Sequence, residues 1–257
     1  MSAWTDLDTE LAQWADAARV ATIWWRDDDA AAVTPSLERL LLLRRAHEIG
    51  LGLAVIPAAL QPALRQRLHE EPQDVAVLQH GYAHQNHASP SEKKIELGLH
   101  RPLPIVIGEL ATGLMALTQA FGVRFLPAMV PPWNRIAPRL VPVLPEIGLR
   151  GLSAFGMRAR AMPVRGLHQV NTHVDLIDWR GGRGFVGVEA ALAALTGHLG
   201  ARRLSDPAAA NAAEPTGILS HHGVHDEEAW AFLDRLWNRL RTHPAVRIVR
   251  PKEIFGT

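Results

Sequence analysis

The run "RDDDA" (residues 26–30) sets Asp27, Asp28 and Asp29 side by side, directly after an apolar stretch. Like charges so placed repel unless a cation or an arginine sits among them. Chance supplies such a triplet roughly 0.03 times in a chain of this composition; the plainer reading is a solvated loop with one Asp capping a helix. A second stretch, "QHGYAHQNH" (79–87), brings His80, His84 and His87 close together. The chain has 13 His. Roughly 0.65 His pairs four apart are expected by chance, so this spacing gains weight only from its surroundings. Two imidazoles, His80 and His84, with one aspartate would hold a cation on one side and leave positions for water and substrate. That set suits hydrolytic zinc, and also Fe(II) and other first-row metals. No role follows for His87. Three further polar clusters are "VPPWNR" (130–135), "NTHVDLIDW" (171–179) and "SHHGVHDE" (220–227).

The elements that must position these clusters alternate. Leu7, Leu11, Trp14 and Ala18 recur at helical spacing, so residues 5–18 are expected as a helix. "ATIWW" (21–25) reads as a strand buried on both faces, stopping at Arg26. "TPSLERLLLLRRAHEIG" opens with Thr34 as N-cap and Pro35 at the first helical position, and closes with Gly50. Strands follow at "LGLAVIP" and at 75–80, with a short helix between. A helical region covers about 91–121, interrupted near Pro102 and Pro104. After it come "RFLPAMVPPW" as strand and turn, "APRLVPVLPEIG" as helix and "GLSAF" as strand. "GLHQVNTHVDLIDW" is a strand running into a loop, "VEAALAALTGHLG" a helix, 217–222 a strand, 227–242 a helix and "AVRIV" a last strand. The segment 204–216 is the expected mobile loop.

Short connections and strand–helix alternation imply βαβ units and a mainly parallel sheet. A single α/β domain over residues 1–257, a distorted barrel of seven strands, is the expectation. In a barrel, catalytic groups project from the C-terminal ends of strands. Each polar cluster stands at such an end and would converge on one rim.

Composition removes several classes of function. With no Cys, disulfides, thiolate zinc sites and thiol nucleophiles are excluded. Net charge is +1 and the arginines are scattered, which argues against a nucleic-acid partner. No Gly-x-Gly-x-x-Gly or Walker loop follows a strand, so no nucleotide cofactor is expected. The N-terminus carries Asp6, Asp8, Glu10 and Asp16, unlike a signal peptide. No window approaches the roughly 18 apolar residues of a membrane span. A cytoplasmic protein is expected.

In order and content the clusters resemble the motifs of the polysaccharide deacetylase family, also called NodB-homology or carbohydrate esterase family 4, over roughly residues 20–255. The first family motif, Thr-Phe-Asp-Asp-Gly, aligns with Asp28 and Asp29, with Ala30 in place of Gly; a register one residue earlier would use Asp27 and Asp28. The second, His-Ser/Thr-x-x-His, aligns with His80 and His84, with Gly81 in place of the hydroxyl residue. The third, Arg-x-Pro-Tyr/Trp, keeps Pro132 and Trp133 but has Val130 where the Arg should be; Arg26 and Arg135 are candidates to replace it. The fourth, Asp-x-x-Asp-Trp, is complete as Asp175, Asp178 and Trp179. The fifth, Leu-x-x-His, fits His222 counted from Leu219 or His221 counted from Ile218.

This resemblance implies a hydrolase that removes an acyl group from an N-acylated sugar or related amide, with one divalent metal ion, most simply Zn2+. It implies Asp28 as base and Asp29, His80 and His84 as metal ligands. His221 or His222 would be the acid, with Asp175 or Asp178 holding it charged. The Trp133 N–H would face the oxyanion, and Trp179, Pro132 and Tyr82 would line the substrate side. Two other readings stand beside it: an amidohydrolase for a small non-sugar C–N bond, and an inactive carbohydrate-binding relative.

Overall fold

The computed structural model describes residues 2–206, 208–210 and 212–256. Helix α1 (Ala3–Asp16) is capped by Ser2 and precedes β1 (Ala21–Ala30). Next come α2 (Pro35–His47), β2 (Leu51–Val55), α3 (Pro62–His69), β3 (Val75–His80), α4 (Leu103–Phe121) and β4 (Phe125–Val130). After these, α5 (Val143–Glu146), β5 (Gly151–Leu152), β6 (His168–Gln169) and β7 (Val174–Asp175) are short. The chain closes with α6 (Val188–Leu204), β8 (Thr216–Ser220), α7 (Glu227–Thr242), β9 (Val246–Ile248) and α8 (Pro251–Phe255).

The strands form one parallel sheet in the order β6-β5-β4-β3-β2-β1-β8-β7, with β9 beside β1. Eight strands lie on this path instead of the expected seven, because "GLHQVNTHVDLIDW" breaks into β6 and β7. The sheet curls into a distorted (β/α) half-barrel with flanking helices. No ladder joins β6 to β7 among the described residues.

Strand alternation divides the side chains between two faces. Trp24, Ala76, Leu78, Leu126, Ala128 and Val130 cluster on the inner face, where Phe255 of α8 packs edge-on against Trp24 at 5.7 Å. Ile23, Trp25, Val75 and Val77 face outward under the helices. Arg26, Asp28 and His80 share the inner parity, so apolar layers give way to a polar one at the C-terminal end of the barrel.

Several sequence expectations shift. Thr34 does cap α2, accepting from the Leu37 N–H at 3.1 Å. β1, however, runs through the aspartates to Ala30 instead of stopping at Arg26. Helix α4 starts only at Leu103, after the N-cap Pro102, so residues 91–102 are irregular. "APRLVPVLPEIG" splits into a short 3-10 turn and α5, broken by its prolines. The supposedly loose 204–216 segment buries Ala212 and Glu214; its Pro207 and Asn211 lie outside the described residues. Residues 103–124 do match a membrane span in length and composition, with a mean hydropathy of 1.4 and only a third of the window buried, contrary to the expectation that no window would. Leu110, Gly113, Leu117 and Phe121 form its buried edge.

Candidate active site and metal centre

Asp29, His80 and His84 meet at the end of β1 and β3, with one ligand atom from each within 4.8 Å of the others. His80 Nε2 is 2.9 Å and His84 Nε2 3.2 Å from the same oxygen, Asp29 Oδ1. The backbone sets this up. β1 shifts register against β2 between Asp27 and Ala30, and Asp29 sits at φ 73°. Such a bulge re-aims a side chain that strict alternation would send elsewhere.

His80 Nδ1 lies 3.0 Å from the Val130 carbonyl oxygen, which can only accept, so Nδ1 carries a proton and Nε2 turns to Asp29. This is the outer-shell arrangement that orients a metal-binding imidazole. In the neutral ring a lone pair faces the carboxylate, which repels unless a proton or a cation lies between. Burial disfavours the His80 cation, but the Asp29 hydrogen bond and the Asp28 and Asp29 charges outweigh it and raise its pKa. Burial likewise opposes ionised Asp29, yet hydrogen bonds from His80 and His84 hold its pKa well below the usual carboxylate range. Two imidazoles and a carboxylate, with one imidazole fixed from behind, fit a divalent cation.

The turn from His80 to His84 has no room for the hydroxyl residue of the family motif. Gly81 has φ 54°, and a Cβ there would stand 1.9 Å from Glu96 Oε2 and 2.6 Å from Pro132. Pro132 and Trp133 follow β4. Trp133 and Asn134 both adopt left-handed backbone, at φ 54° and 56°, a strain typical of functional loops. The Trp133 ring stands 4.5 Å from His84, and Lys94 Nζ is 5.9 Å from that indole.

Asp28 is 2% exposed and held by Arg26, which is wholly buried. Nε donates to Oδ1 at 2.9 Å and Nη2 to Oδ2 at 3.0 Å, a two-pronged pair. The remaining N–H groups donate to the Ser153 carbonyl and hydroxyl and to Asn134 Oδ1. Two residues apart on one strand, Arg26 and Asp28 point the same way. Of the two candidate arginines, Arg26 is the one that meets Asp28. Arg135, the other candidate, does not: its guanidinium donates to the Lys94 carbonyl on the surface.

His221 Nε2 lies 4.0 Å from Asp28 Oδ2, and its ring meets the half-exposed Trp179 edge-on at 4.7 Å. Asp175 accepts from Trp179 Nε1 at 2.8 Å and from the Ile177 N–H. Burial raises its pKa, against the opposing His221 charge. Asp178 does not reach either histidine; it caps its own turn, accepting from the Arg180 and Gly181 N–H groups. His222 turns away from the rim. Its Nδ1 pairs with Asp27, which also accepts from the His222 N–H and from Ser220 Oγ. Burial works against the His222 cation, but the Asp27 charge overrides it and raises the pKa. Tyr82 lies in the His80–His84 turn, its N–H bound to Glu96 at 3.1 Å.

Sequence reasoning missed Glu96, which reaches the site from an irregular segment without a motif, and gave no role to Asn134, beside Trp133 in the third cluster, or to Ser153, just after β5. It also missed a second His/His/Glu group, buried at the N-terminal end of β8: His173, His198 and Glu214. There the Gly217 N–H donates to His173 Nδ1 at 3.0 Å. The ring proton must then sit on Nε2, 3.5 Å from Glu214. A protonated Nε2 offers no lone pair to a metal, and Arg158 Nε stands 3.8 Å from the same carboxylate oxygen, Glu214 Oε2.

No family model and no curated protein matches the chain. Solved structures do match. One is the Bc1960 peptidoglycan N-acetylglucosamine deacetylase bound to an N-hydroxybenzamide, at TM-score 0.61 and 16% identity, covering 93% of this chain and 89% of that one. The chitin deacetylase of the fungus Colletotrichum lindemuthianum matches at TM-score 0.54 and 14% identity, covering 93% and 88%. The chain has the polysaccharide deacetylase fold. A family 4 acetyl xylan esterase of Clostridium thermocellum, solved with a cobalt ion, shares it at TM-score 0.53 and 13% identity, covering 91% and 90%.

Proposed function

We propose that this protein is a metal-dependent hydrolase that cleaves the acyl C–N bond of an N-acylated sugar or related amide. The observation that carries the reading is one rim holding three groups at once. Asp29, His80 and His84 form a ligand set, Asp28 is a carboxylate locked to Arg26, and His221 lies 4.0 Å from it. The deacetylases and the acetyl xylan esterase that share the fold support the class of reaction.

Asp29, His80 and His84 would hold a divalent cation, Zn2+ by donor chemistry, whose part is to polarise the acyl carbonyl and acidify a water. Asp28 takes the proton of the attacking water, and the two Arg26 hydrogen bonds keep its carboxylate aimed. The water oxygen joins the acyl carbon. The Trp133 N–H is the donor for the oxygen that gains charge. His221 gives a proton to the nitrogen as the C–N bond breaks, leaving an acid and a free amine. Asp175 stands within reach of the His221 charge. Trp179 walls one side of the acyl group, and Pro132, Trp133 and Tyr82 the other.

The test is metal analysis followed by turnover. Wild-type protein should take up about one equivalent of Zn2+ or Co2+, and the double variant His80→Ala, His84→Ala should take up none. The loaded wild type should release acetate from a panel of N-acetyl sugars. A folded wild type that binds neither metal after loading overturns the reading.

A further inference from the structure

Residue 81 stands between the two histidine ligands, where the resembling motif has a hydroxyl side chain and this chain has glycine. Its place is taken from elsewhere. Glu96, 1% exposed, reaches back from the irregular segment before α4. Its Oε2 accepts from the Tyr82 N–H at 3.1 Å and its Oε1 from the Ala83 N–H at 2.7 Å. The Gln85 N–H points at the same Oε1 from 3.5 Å. No arginine or lysine is paired with this carboxylate among the described residues, so backbone amides alone satisfy it. The far side of Glu96 is equally fixed. The Ala137 N–H donates to the Leu97 carbonyl at 2.8 Å, and the His87 N–H to the Ile95 carbonyl at 3.1 Å.

A buried carboxylate that binds successive N–H groups sets the path of the turn they belong to. This turn ends at His84, which is held in a left-handed conformation at φ 56°. We infer that Glu96 is a positioning residue for the metal centre: it clamps the His80–His84 turn through the Tyr82 and Ala83 amides and so sets cation affinity. The inference rests on the metal reading above. Gly81 and Glu96 form a coupled pair, since any side chain at 81 would displace the carboxylate.

Glu96→Gln keeps the shape but turns an NH2 group toward one of the two amides. Zn2+ affinity, measured by competition with a chromogenic chelator, should fall roughly 10- to 100-fold, the usual loss for an outer-shell partner. Exchange of the Tyr82 and Ala83 amides, followed by NMR, should quicken in the same protein without metal. Glu96→Asp, which keeps the charge and loses reach, should weaken Zn2+ binding too, and serves if the Gln variant does not fold. Exposed Glu92→Gln on the same segment should bind as wild type does. Wild-type affinity in Glu96→Gln, or in Glu96→Asp where the Gln variant does not fold, overturns the inference and leaves the metal reading intact. A wild type that binds no Zn2+ overturns both.

Discussion

His221 and His222 are neighbours in the chain with separate surroundings. His221 lies between Asp28 and Trp179, while His222 is tied to Asp27 beneath the rim. If His221 carries the leaving-group proton, His221→Ala should lower turnover by roughly 10²- to 10⁴-fold with metal uptake retained. His222→Ala strips a buried carboxylate of its partner and should cost about 3–5 kcal/mol of stability, read from urea denaturation. The opposite pattern would exchange the two roles. Counting from Leu219 or Ile218 could not separate their surroundings, because these are set by Asp27, whose acceptors draw in only the second histidine. Arg26 and Arg135 stayed an open choice, because the strand was expected to stop at Arg26; only with β1 running on to Ala30 do Arg26 and Asp28, two apart, share a face. Glu96 was not legible at all. Its partners are backbone amides, which leave no mark on side-chain spacing.

Long elements with end signals came out of the sequence well, as α2 with Thr34 and α7 over Glu227–Thr242 show. Short ones did not. β5, β6 and β7 have two residues each, too few for any period to register, and only their neighbours make them strands. The α6–β8 contact holds the buried group that sequence reading passed over. His198 stacks on His173 with ring centroids 3.5 Å apart. Burial first, then the nearby His173 and Arg202 charges, push the His198 pKa down to about 3 from 6.5; burial also lowers that of His173, against Glu214. The unfolded chain therefore binds more protons between those two pH values, and stability falls as pH drops from 6.5 toward 3. His198→Phe should flatten this acid limb, measured as melting temperature from pH 7 to pH 4. An unchanged slope would remove His198 from the account.

Taken whole, the barrel has an end rimmed by the polar clusters and an end closed by α8. The alternation of strands and helices foretold the first, since every polar cluster sits where a parallel strand stops. The closing of the other end by α8 left no such signal. Phe255 packs on Trp24 and lies where a Cβ on Gly151 would meet it at 2.7 Å. Phe255→Ala should cost about 3–5 kcal/mol while Zn2+ affinity stays at the wild-type value. A parallel loss of metal binding would mean the two ends are not independent. The same layering separates two properties that a redesign would want to vary apart. Because the proposed base, Asp28, and its guanidinium partner both ride on β1, the loop over residues 130–135 need supply no cation to that carboxylate. It lends Arg26 only a neutral acceptor, Asn134. That loop can be recut for a different acyl or amine shape, Asn134 and the strained Trp133 kept, without disarming the carboxylate behind it.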